Sequence, residues 1–319
     1  MMQPDRRIHA ENSKYTAILF IVIAFAVITN AIRDLNQLHD YSSGFQAVVL
    51  DWFQPGPESY AVGFSAQPVE CTSVIAQDEV RSDEFRWTGL VAPGRTIEIK
   101  GVNGDISAEP TSGANVEVLA TKKARRSDPA LVDLRVLEHS EGVTICVVYP
   151  SDDPNNPNSC EPGKGGRMNV RNNDVKVDVA LRVPAGVNFS GRTVNGEIVA
   201  RSLASNVVLS TVNGSITIST SGYARANTVN GEIAATLGDT NWPDKLEFNT
   251  VNGGITLDLP QNISAEVKAD TFNGAISSDF PLAVVNRVSR KHLSGTIGSG
   301  GRELILKTLN GSINLRRAG

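Results

Sequence analysis

The chain has 319 residues, 40% hydrophobic and 20% charged, with a formal net charge of -4. That length admits one large domain or two modest ones with a sizeable core, and the slight acidity excludes the basic footprint expected of a nucleic-acid-binding protein. Aromatic residues make up only 6%, and the 28 glycines accompany recurrent Asn, Thr and Val, which suits short strands and tight turns better than helices.

Residues 15–32 (YTAILFIVIAFAVITNAI) carry no charge. As a helix rising ~1.5 Å per residue they reach ~27 Å, close to the ~30 Å hydrocarbon core of a bilayer. Arg6, Arg7 and Lys14 precede the segment and only Arg33 follows closely. The positive-inside rule therefore places residues 1–14 in the cytoplasm and everything after the helix in the periplasm or outside the cell. The segment reads as a retained single-pass transmembrane helix, a signal anchor. The alternative is a signal peptide cleaved near Thr29-Asn30-Ala31. Residues 33–84 read as a juxtamembrane linker, broken at Gln54-Pro55-Gly56-Pro57.

From residue 85 the pattern changes. Thr96-Ile97-Glu98-Ile99-Lys100 alternates with period two, as a half-buried strand does, and further strands are expected at 116–120, 134–137, 143–149 and 175–183. The basic run 122–126 (KKARR) reads as a solvated loop. Residues 151–174, rich in Pro, Asn, Asp and Gly, read as another loop. Within it Gly163-Lys164-Gly165-Gly166 lacks the spacing of a phosphate-binding loop, and Asp152, Asp153 and Asp174 lack EF-hand spacing.

The three cysteines, Cys71, Cys146 and Cys160, show no CxxC spacing, which argues against a zinc or thioredoxin-type site. In an exported domain Cys146 and Cys160 would close a short, loop-rich segment as a disulfide, leaving Cys71 unpaired. The competing reading is two ordinary thiols, with Cys146 buried in an apolar strand.

A hexapeptide, Thr-(Val/Leu/Phe)-Asn-Gly-x-Ile, organises the C-terminal half. It recurs at Asn195-Gly196, Asn213-Gly214, Asn230-Gly231, Asn252-Gly253, Asn273-Gly274 and Asn310-Gly311, with an outlier at Asn103-Gly104 and a degenerate copy at residues 293–297 (LSGTI). Apolar residues fall four and six before the Asn, as Leu209 and Val207, Phe248 and Leu246, Leu306 and Leu304, and Ile99 and Ile97 do, and three and five after it, as Ile216 and Ile218, Ile255 and Leu257, and Ile313 and Leu315 do. Each copy is thus strand, Asn-Gly turn, strand, with one face apolar. The Asn positions from 195 to 310 lie 18, 17, 22, 21 and 37 apart, and about 20 residues is a solenoid period. We expect an all-β, parallel β-solenoid or β-helix-like domain over residues 85–319, preferred to a meander of Asn-Gly hairpins. Asn and Gly suit the corner through their tolerance of left-handed backbone.

No catalytic signature appears. His9, His39, His139 and His292 form no metal-ligand spacing, and HExxH and GxSxG are absent. Asp258, Asp270 and Asp279 occupy different offsets from the repeat Asn, so no carboxylate strip is expected. Nothing in the sequence asks for a cofactor or metal.

With Phe85-x-Trp87-x-Gly89, Pro93-Gly94 and the run 182–186 (RVPAG) before the first repeat, the sequence resembles the bacterial "putative adhesin" domain family of unknown function over about residues 85–319. The resemblance implies an exported β-solenoid-like domain and supplies no active-site residues. The expected function is a membrane-anchored, envelope-exposed, non-catalytic binding or adhesion-type domain with a protein or glycan partner. Alternatives are a self-associating structural scaffold, an envelope-stress protein signalling through its cytoplasmic tail, and a carbohydrate-active enzyme on a β-helix.

Overall fold

The computed structural model describes residues 80–239, 242, 245–284 and 291–318. The expected tail 1–14, the transmembrane segment 15–32, Cys71 and most of the 33–84 linker lie outside them.

In chain order the first strands are β1 (Arg81–Gly89), β2 (Thr96–Lys100), β3 (Ile106–Thr111), β4 (Val116–Ala124), β5 (Asp133–His139), β6 (Gly142–Val148) and β7 (Lys176–Pro184). The repeats add β8 (Asn188–Arg192), β9 (Ile198–Leu203), β10 (Val207–Ser210), β11 (Ile216–Thr220), β12 (Ala224–Asn227), β13 (Ile233–Leu237), β14 (Leu246–Asn249) and β15 (Ile255–Leu259). Last come β16 (Ala265–Asn273), β17 (Ile276–Ser278), β18 (Leu282–Val284), β19 (His292–Ile297), β20 (Glu303–Asn310) and β21 (Ile313–Arg317).

These strands make two sheets with the core between them. One is ordered β1-β4-β7-β3-β9-β11-β13-β15-β21-β17, the other β18-β19-β16-β20-β14-β12-β10-β8-β2-β6-β5. Each Asn-Gly pair joins a strand of the second sheet to one of the first, and strand, corner and strand form one coil. Pairing is parallel from β7 to β17 and from β6 to β16. Antiparallel pairs close the ends: β1 with β4, β4 with β7, β5 with β6, and β19 with β16 and β18. The sheets are therefore mixed, where the repeat alone suggests uninterrupted parallel coils.

The repeat offsets explain the core. Ile106, Ile198, Ile216, Ile233, Ile255 and Ile313 pair in register, coil over coil, each at most 1% exposed. On the facing sheet large residues alternate with small ones: Phe189 fills the space beside Gly191, and Phe248 lies in register with Ala226. A fully buried Ile contributes ~1.5–3 kcal/mol, too little for one coil to fold alone, so stability comes from stacking.

Stack order departs from chain order at both ends. Asn103 lies under Asn195 across a separation of 92 residues, because the chain between them forms the N-terminal cap. Asn310 sits between Asn252 and Asn273, so the last coil is inserted inside the stack. The degenerate copy at 293–297 is no corner. It lies within β19, whose Leu293 and Ile297 are buried while the strand pairs antiparallel with β16 and β18.

Two N-terminal assignments also change. β1 starts at Arg81, so residues 81–84 belong to a sheet and not to the linker. The basic run is not a solvated loop at its start: Lys122 lies in β4, buried, paired with Asp83 at 2.5 Å and donating to the Val132 carbonyl at 3.0 Å. Alternation along β4 turns its long side chain inward, where an acid and a carbonyl receive the ammonium.

Candidate functional site

The corner residues mostly engage one another. Each Asn side-chain amide donates to the side-chain oxygen of the Asn in the coil beneath: Asn195 to Asn103, Asn213 to Asn195, Asn230 to Asn213, Asn252 to Asn230, Asn310 to Asn252 and Asn273 to Asn310, all at 2.7–2.8 Å. The Thr two residues earlier is buried and donates to the Gly carbonyl beneath, as Thr228 does to Gly214 and Thr250 to Gly231, both at 2.9 Å. The Gly N–H donates to the Asn carbonyl above, Gly214 to Asn230 at 2.9 Å. At the Asn103 end the buried Tyr149 hydroxyl donates to the Val175 carbonyl at 2.8 Å. Burial pushes its pKa up, opposed by the backbone and side-chain amides of Asn103 that face it.

Close approach requires glycine at these corners. A Cβ on Gly196, Gly214, Gly231, Gly253, Gly274 or Gly311 would stand 1.9–2.0 Å from the glycine carbonyl of the adjoining coil, and one on Gly104 would stand 1.9 Å from the Val177 carbonyl. Left-handed backbone, the reason expected from the sequence, is not general. Of the corner residues only Gly104 and Gly253 have positive φ in the glycine-favouring range, and none of the corner Asn residues does.

A cleft of ≈ 480 Å³ lies on the outer face of the second sheet. It crosses β2, β8, β10, β12 and β14, one strand from each of five successive coils. Three residues before the corner Asn come Lys100, Arg192, Ser210, Asn227 and Asn249, paired in register across the floor. One residue before it come Val102, Val194, Val212 and Val229. Lys164, Arg167 and Met168, from the irregular 151–174 segment, form the wall.

That wall is fastened to the sheet. Cys146 and Cys160 form a disulfide, their Cα atoms 5.7 Å apart. The Lys100 ammonium donates to the Glu161 and Gly165 carbonyls at 2.6 and 2.8 Å. The buried Glu98 carboxylate accepts the Gly163 N–H and the Thr144 hydroxyl, both at 2.9 Å, with Arg192 Nε at 3.9 Å. Buried Asn158 ties the neck of the segment, donating to the Tyr149 and Asn169 carbonyls at 2.9 Å and accepting the Asn169 N–H at 2.6 Å.

Groups with shifted titration lie elsewhere. The Lys122 ammonium holds Asp83 low. Burial opposes ionisation of Asp105, yet Lys176 at 2.8 Å and the Glu197 N–H outweigh it and hold its pKa down. Asp174 accepts the backbone N–H groups of Ser127, Arg126 and Arg125, which hold its carboxyl well below the usual range. Asp258 pairs with Arg316 on the first sheet while Asp270 meets His292 on the second, so these carboxylates form no common strip. Among the described residues no three His, Cys, Asp or Glu side chains converge to hold a metal, and no helix is long and apolar enough to cross a membrane.

With the apolar offsets four and six before the Asn turned inward, the polar residue three before it faces outward in the structure. That 159–168 would fold over this row was not readable in the sequence, because the wall is made by contacts between residues some 60 positions apart, such as Lys100 with Gly165.

The family described as Toastrack DUF4097 matches residues 93–316, from just before β2 into β21. This chain belongs to the Toastrack DUF4097 family. Its Toastrack domain is similar at 11% identity and a TM-score of 0.40 to the crystal structure of a putative cell adhesion protein from Clostridium sporogenes, covering 74% of this chain and 100% of that one. A putative adhesin from Bacteroides fragilis shares 12% identity with a TM-score of 0.34, over 73% of this chain and 97% of that one. A putative lipid binding protein from Parabacteroides distasonis shares 13% with a TM-score of 0.27, over 76% and 98%. No curated protein matches the sequence.

Proposed function

We propose that this protein is a membrane-anchored, envelope-exposed, non-catalytic binding protein. Residues 15–32 form its anchor, and its β-solenoid-type Toastrack domain presents the cleft on the second sheet. The observation that carries the reading is the cleft itself: a concave surface across five coils, walled by a segment that a disulfide, a buried carboxylate and a lysine hold in place. A pre-formed site of this kind suits binding, because little ordering cost remains when a ligand arrives. Lys100 in the cleft and Glu98 behind the wall are occupied in fastening that wall, and the perturbed carboxylates lie elsewhere in ion pairs and turns. A disulfide persists in oxidising compartments, which agrees with the outward topology read from Arg6, Arg7 and Lys14.

Production of the full chain in a bacterial host, followed by trypsin treatment of spheroplasts, tests the topology. The chain should remain with the membrane after an alkaline wash, and its Toastrack domain should be reachable from outside the inner membrane. A chain that fractionates as a soluble intracellular protein, or a domain shielded in intact spheroplasts, would overturn the reading.

A further inference from the structure

We infer that the cleft takes a linear anionic polysaccharide laid along the stack, crossing the strands one coil at a time; this rests on the binding role proposed above and names the ligand class. The first argument is spacing. Neighbouring strands lie ~4.8 Å apart, and the same two offsets line the floor in coil after coil. A ligand along the cleft therefore meets a polar side chain at every strand spacing and, in four of the five coils, a valine beside it. A pyranose chain advances by about one such step per sugar. An extended peptide repeats its same-face side chains every ~6.6 Å and falls out of step within a coil or two.

The second argument is chemical. Val194, Val212 and Val229 give an aliphatic strip for the C–H faces of sugar rings, and Ser210 and Asn227 offer a hydroxyl and an amide to ring hydroxyls. The Asn249 amide donates to the Asn227 side-chain oxygen at 2.9 Å, yet the Asn227 amide itself has no acceptor among the described residues, unlike the saturated ladder at the corners. The third argument is charge. Lys100, Lys164, Arg167 and Arg192 gather at one end of a cleft whose only lining acid among the described residues is Glu247, in a chain of net charge -4. Lys100 is engaged with the wall and Arg167 donates to Asn156. Among the described residues the half-buried Arg192 guanidinium approaches only Glu98, at 3.9 Å, and the exposed Lys164 ammonium contacts no acceptor. Both suit a carboxylate or sulfate on the sugar chain.

The test is calorimetry on the full chain in detergent micelles. The probes are alginate and polygalacturonate oligomers, neutral cello-oligosaccharides, and poly-glutamate. The acidic oligosaccharides should bind, more weakly as salt rises, and the neutral ones should not. Arg192→Gln should weaken binding about tenfold, the loss of one charge-assisted hydrogen bond. Asn227→Ala should also weaken it, and Thr256→Ala on the other sheet should leave it unchanged. Binding of poly-glutamate instead, sensitive to Arg192→Gln, would overturn the ligand class while keeping the cleft as a binding site. Acidic oligosaccharide binding that ignores both cleft variants would overturn the cleft itself. Absence of binding by every probe would overturn the inference.

Discussion

A Cβ on Gly214 would overlap the Gly196 carbonyl oxygen at 1.9 Å, and that oxygen is held by the Thr211 hydroxyl at 3.0 Å. We therefore expect Gly214→Ala to lose ~1–3 kcal/mol or more in denaturant melts, as overpacking does. If only left-handed backbone mattered, Ala would be nearly harmless at Gly214, whose φ lies outside that range, and a loss below ~0.5 kcal/mol would remove the steric account. Asp174 makes a different prediction. Its folded pKa lies below the ordinary 3.8 because it accepts three backbone N–H groups. The stability it confers is therefore fully present above the unfolded value and lost as pH falls through the folded one. Asp174→Asn should be less stable than the parent at neutral pH, with the gap narrowing on acidification below 3.8. A gap that does not change with pH in parallel thermal melts would contradict this.

The elements obey the offsets seen in the sequence. Strands expected at 116–120, 134–137, 143–149 and 175–183 appear as β4, β5, β6 and β7, because period-two alternation survives whichever neighbour a strand meets. Ile216 is wholly buried between Ile198 and Ile233 in the adjoining coils. Ile216→Ala should cost ~2–5 kcal/mol in equilibrium unfolding, and a change under ~1 kcal/mol would contradict a tightly packed column. Alternation did not reveal direction. β19 carries a repeat-like sequence, yet it runs antiparallel to β16, since any strand with one apolar face can pair either way. The wall of the cleft was not legible: residues 151–174 hold no periodic pattern, and their position depends on Glu98, Lys100 and Cys146 in distant strands.

For the whole molecule, the order of coils governs how it holds together. The sixth coil of the stack, β20 and β21, enters between β14 and β16 and between β15 and β17. A chain ending after residue 298 would lack this inner coil and leave β16 and β17 without their parallel neighbours. Such a truncation should unfold at lower denaturant and lose amide protection through residues 265–284, while the Asn103 end keeps its own. Equal loss of protection at both ends in hydrogen-exchange measurements would mean that the stack unfolds as one unit. The separations of 92 residues between Asn103 and Asn195 and 58 between Asn252 and Asn310 also place the folding of both ends behind the closure of long loops.

The sequence by itself determined the all-β class and the corner repeat with its inward Ile and Thr, because each follows from local periodicity and the size of a side chain. Only the tertiary structure decided the order in which coils stack, the antiparallel caps, the reason for each corner glycine and the wall of the cleft. Those depend on which strand edges meet across long stretches of chain, and an apolar face with free backbone groups accepts many partners until packing selects one.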